Sequence, residues 1–104
     1  MTKLEFGFAN ASNGGLFDLG AIVGTPRAID AMQQAGISAR DLLKRHHQAD
    51  WGTIDPEDQG QNEEALRMGG QLMSVYKLPR TGETIWIITE WDRSVTTLLL
   101  PEDY

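Results

Sequence analysis

His46 and His47 are the only imidazoles in the chain, and an imidazole titrates near neutrality, so either one could serve as a general acid or base. Neighbouring positions on a helix point about 100 degrees apart, so the two cannot hold one metal ion as an i, i+4 pair would. A histidine near a helix C-terminus also complements the helix dipole without any chemistry. A second set follows near the end of the chain, where Glu90, Asp92 and Arg93 precede Thr96 and Thr97. A guanidinium for charge and a threonine hydroxyl for a hydrogen bond are what a phosphate-transfer site uses, although a turn accounts for the charges alone. Asp55, Glu57, Asp58, Glu63 and Glu64 form an acidic run. Its spacing fits neither a calcium loop nor a pair of catalytic carboxylates, and it reads as a solvated helix face. Gly14-Gly15 and Gly69-Gly70 lack the spacing of a phosphate-binding loop. No metal and no cofactor is expected.

The composition narrows the partners. The chain has 104 residues with a formal charge of -6 and no cysteine, which predicts one domain with room for one site and excludes disulfides, thiolate zinc sites and cysteine nucleophiles. An acidic balance opposes binding to nucleic acid through phosphate neutralisation. Arg40, Lys44, Arg45, His46 and His47 nevertheless form a small basic patch, which a solvated helix face also explains. No apolar run approaches the roughly 20 residues of a membrane span, and no secretory signal is visible, so a cytoplasmic protein is expected. Asn10-Ala11-Ser12 matches the glycosylation triplet, a short pattern that recurs by chance and has no meaning in an intracellular chain.

The elements that must position these residues can be read in order. Residues 1–18 are expected to be loosely ordered, with a turn at 10–15, and 19–104 to form a single domain. Leu19 to Val23 reads as a short extended segment. Thr25-Pro26 opens a helix that Gly36 closes, Ser38 opens a second through His47, and Asp55-Pro56 opens a third that runs to Met68 before Gly69-Gly70. Gln71 to Leu78 alternates as a strand, and Thr84 to Leu100 reads as two strands reversing at Glu90-Ser94. The expected fold is α+β, two to three helices packed on a C-terminal three-stranded antiparallel meander. Trp86 is expected to be buried. Both faces of the Thr84–Trp91 strand carry apolar residues, so a homodimer is one way to cover the second face.

Arg45-His46-His47-Gln48-Ala49-Asp50-Trp51-Gly52, Asn62-Glu63-Glu64-Ala65-Leu66 and the segment from Trp86 to Tyr104 together resemble a family of small plasmid-related proteins of mobile elements, often labelled a type I restriction subunit. The likeness runs from about Leu19 to Tyr104. A looser resemblance is to the metal-independent ribonucleases of the barnase, EndoU and RelE class. It implies His46 as general acid or base, Arg93 as phosphate clamp, Thr96 or Thr97 as phosphate ligand and Tyr104 as a late aromatic. Arg45, Trp51 and Trp91 are candidate binding residues. Two functions are thus expected of a mobile-element accessory protein: a small ribonuclease acting on RNA, or a non-enzymatic acidic inhibitor of the anti-restriction or anti-CRISPR type. The inhibitor would occupy a basic nucleic-acid groove on a protein complex.

Overall fold

Each helix begins where a short polar side chain replaces the missing backbone partner. In a computed structural model that describes residues 1–4 and 15–104, α1 spans Pro26–Ala35 and the Thr25 hydroxyl accepts from the Ala28 N–H at 3.1 Å. α2 spans Ala39–His47 with Ser38 accepting from Arg40 N–H, and α3 spans Pro56–Met68 with Asp55 accepting from Asp58 N–H. Gly36, at φ 70°, closes α1 in the left-handed conformation that a side chain disfavours. α1 buries Ala28, Ala31, Met32 and Ala35, and α2 buries Leu42, Leu43 and both histidines. α3 buries only Asn62 and Ala65.

The sheet corrects the expected meander. Five strands, β1 (Thr2–Leu4), β2 (Ala21–Gly24), β3 (Leu72–Lys77), β4 (Thr84–Thr89) and β5 (Val95–Leu99), lie in the order β1-β2-β5-β4-β3. β3, β4 and β5 are antiparallel neighbours as expected, but β2 pairs in parallel with β5, Ala21 opposite Val95 through Gly24 opposite Leu98. β1 adds antiparallel to β2. The sheet is therefore mixed, and strands stand on both sides of the helices in sequence. Three and four residues are too few to show an alternating pattern, and the partner of β2 lies some seventy residues away, beyond any local signal. β5 would otherwise present an unpaired edge; β2 covers it. The Asn10-Ala11-Ser12 triplet and all but Gly15 of the turn expected at 10–15 lie outside the described residues.

The far edge, β3, is also covered. Val75 donates to Trp51 O at 2.9 Å and accepts from Thr53 N–H at 2.8 Å. Two residues earlier, the Asn62 carboxamide both donates to and accepts from the Met73 backbone, at 2.7 and 3.1 Å, in the place of a sixth strand. Alternation then sorts the side chains. Ile22, Leu72, Tyr76, Ile85, Ile87 and Leu98 join Phe17, Leu19, Trp51 and the buried helix residues in one core. Ile88 and Leu99 are buried but stand outside that core, on the opposite face. There Trp86 is half-buried, not enclosed as expected, and meets Tyr104 edge-on with ring centroids 5.6 Å apart.

Candidate functional site

Ser74, Thr89 and Thr96 all fall on the helix-facing side of the sheet, where a hydroxyl needs a partner to offset lost hydration. His46, in the last turn of α2, supplies it. Its Nδ1 lies 2.6 Å from Ser74 Oγ and its Nε2 lies 2.9 Å from Thr89 Oγ1. Thr89 and Thr96 are 2.7 Å apart, and Thr96 donates to the Leu19 carbonyl at 2.7 Å. That last bond orders the protons as far as the ring. Thr96 has one hydrogen and gives it to a carbonyl, so Thr89 must donate to Thr96 and His46 Nε2–H must donate to Thr89; burial disfavours a second ring proton, which leaves Nδ1 to accept from Ser74. The imidazole is neutral with its proton on Nε2. It is fully buried, edge-on to Phe17 and Trp51. Burial first, then the charges of His47 and Arg93, push its pKa down from 6.5 to about 3. His46 and Thr96 therefore do converge, but inside the core, where neither reaches a substrate. His47 is buried beside them and donates from Nε2 to the Phe17 carbonyl at 2.7 Å.

Arg93 is engaged with the backbone. Its guanidinium donates to the carbonyls of Ala65 (3.0 Å), Glu90 (3.1 Å) and Gly70, and lies over the Phe17 ring. It thus satisfies carbonyls at the end of α3 and ties the β4–β5 turn to the α3–β3 junction. Arg93 holds φ at 61°, which costs a non-glycine residue about 1–2 kcal/mol. Arg93→Ala is expected to lose the carbonyl bonds and keep the strain, lowering stability by about 2–3 kcal/mol. Arg93→Gly should lose the same bonds while relieving the strain and so should fall less far. Equal urea midpoints for the two variants would refute this account.

The remaining candidates are dispersed. Thr97 lies on the opposite face from Thr96, between Ile88 and Val23 in the register. Tyr104 is 78% and Trp91 70% exposed, whereas Trp51 is in the core. Arg45 binds Asp50 at 2.7 Å and covers the Tyr76 ring at 4.5 Å, while Tyr76 donates to the Asp50 carbonyl at 2.5 Å. Asp50 is held below the usual carboxylate range chiefly by Arg45. Ser74 and Thr89 were missed by sequence reasoning, although two hydroxyl residues at inward positions of otherwise apolar strands were the available signal.

Accessible features lie elsewhere. An open cleft of about 290 Å³ on the helix-free face is lined by Ile88, Thr97, Leu99, Glu90, Asp103 and Tyr104, with Met1. A smaller recess of about 120 Å³ lies between α3 and β3, against Asp58, Asn62 and Met73. Among the described residues no group of three histidines or carboxylates is placed to hold a metal ion, and no helix is long and apolar enough to cross a membrane. Comparison with protein-family models, with curated proteins and with solved structures gives no match to this chain.

Proposed function

We propose that this chain is a non-catalytic acidic binding module that occupies the basic nucleic-acid-binding surface of a partner protein. The observation that carries the reading is α3. Between Asp55 and Met68 the chain has five carboxylates and one arginine, and Glu57, Asp58, Glu63 and Glu64 are all exposed. None of those four forms an ion pair among the described residues. Glu57 and Asp58 favour the helix N-terminus, but Glu63 and Glu64 lie in the C-terminal half, where the dipole offers a negative charge no stabilisation. Glu57 and Glu64, seven residues apart, share a face of the helix. A row of unneutralised carboxylates on a lightly packed helix suits a surface that otherwise binds phosphates.

A ribonuclease would need His46 to exchange protons with substrate, and its enclosure and its neutral state favour the binding reading instead. A restriction or CRISPR effector, which holds nucleic acid in a basic groove, is the partner class we propose, on the net charge of -6. The test is affinity for a panel of purified effectors, measured between 50 and 200 mM salt. Affinity should fall steeply as salt rises, and Glu63→Gln with Glu64→Gln should weaken binding roughly tenfold at low salt. Cleavage of single-stranded RNA in EDTA, lost in a folded His46→Gln protein, would overturn the proposal, as would effector binding indifferent to salt.

A further inference from the structure

The helix-free face of the sheet ends in a cleft whose chemistry is not that of a general apolar surface. Its floor is Ile88 and Leu99, one wall is the exposed Tyr104 ring backed by Trp86, and Glu90 and Asp103 stand at the rim. Met1 forms the remaining wall. The two rim carboxylates differ. Asp103 is engaged: it accepts from the Thr25 hydroxyl at 2.7 Å and from Leu100 N–H at 3.1 Å, and Arg27 approaches it at 3.6 Å. Glu90 is half-buried, and among the described residues its carboxylate has neither an ion pair nor a hydrogen bond.

We propose that this cleft receives an arginine side chain from a basic segment of a protein partner. The aliphatic stem would lie on Ile88 and Leu99, the guanidinium plane would stack on Tyr104, and its N–H fork would bind the Glu90 carboxylate. Arginine fits better than lysine because only a planar cation uses both the ring and the two carboxylate oxygens. Charge disfavours a second copy of this chain as the natural occupant, since both molecules would carry -6. The inference rests on the reading above only in taking the partner to be a basic protein.

The experiment titrates the ¹⁵N-labelled full chain with N-acetylarginine amide, using N-acetylcitrulline amide as the uncharged control. Saturable amide shifts centred on Ile88, Glu90, Thr97 and Leu99 are expected with the arginine compound only. Glu90→Gln should weaken that binding about tenfold and Tyr104→Ala severalfold, both with unchanged thermal transitions. Shifts centred on α3, equal shifts with citrulline, or no saturable shift would overturn the proposal. So would sedimentation that shows a dimer formed through this face. The Glu63→Gln, Glu64→Gln protein separates the two ideas. It should titrate normally with the arginine compound, so loss of effector binding beside an intact titration would implicate α3 alone. Effector binding with no arginine titration would reject the cleft alone.

Discussion

Replacing His46 by Ala is expected to lower the free energy of unfolding by about 3–5 kcal/mol, and to lower Tm by about 15 °C or more in a chain of this size. Two effects add. The ring leaves a cavity between Phe17, Trp51 and the sheet, and the Ser74 hydroxyl and Thr89 Oγ1 lose their partner in a region without water access. A helix-end histidine that only complements a dipole would cost no more than about 2 kcal/mol, so urea denaturation of the variant distinguishes the two roles. The pH dependence gives an independent check. The folded pKa of about 3 lies below the unfolded value of 6.5, so between those limits the unfolded chain binds the extra proton. Stability should therefore fall as pH drops below 6.5, by up to about 1.4 kcal/mol per unit, and be independent of this group above it. His46→Gln, which keeps an N–H donor, should flatten the wild-type slope between about pH 4 and 6, before the carboxylates titrate. An unchanged slope would refute the neutral, enclosed imidazole.

Gly52→Ala should be comparably damaging, by about 2–5 kcal/mol, because two costs fall on one atom. Gly52 holds φ at 76°, which disfavours any L side chain by about 1–2 kcal/mol. A Cβ there would lie 1.9 Å from the Val75 carbonyl oxygen, a backbone atom that cannot swing aside. Overpacking of that kind costs about 1–3 kcal/mol more. Relief would require residues 51–53 to leave β3, which would release the bonds from Val75 N–H to Trp51 O and from Thr53 N–H to Val75 O and expose the edge. Amide exchange should show Val75 and Thr53 losing protection before the β4–β5 pair does. A variant that keeps the parent's midpoint and Val75 protection would show that this crossing is not tight.

Local chemistry determined much of the chain on its own. Thr25, Ser38 and Asp55 begin helices because each side chain accepts an N–H two or three residues on, and Gly36 ends one because it takes the left-handed conformation at no cost in side-chain strain. Alternation correctly separated the faces of β4, and the charge and lack of cysteine bounded the chemistry. Tertiary structure decided the rest, since each remaining feature depends on residues far apart in sequence. The parallel pairing of β2 with β5 joins four residues near the start of the chain to four near its end, with no local periodicity to announce it. His46 carries the same imidazole in either setting; only its enclosure by Ser74, Thr89, Phe17 and Trp51 turns a candidate proton shuttle into a core hydrogen-bonding group. Arg93 could equally have faced a phosphate, but the fold brings the carbonyls of Ala65 and Gly70 to it. A side chain's type states which bonds it can make, and only the packed chain supplies the partners and the dielectric that select among them.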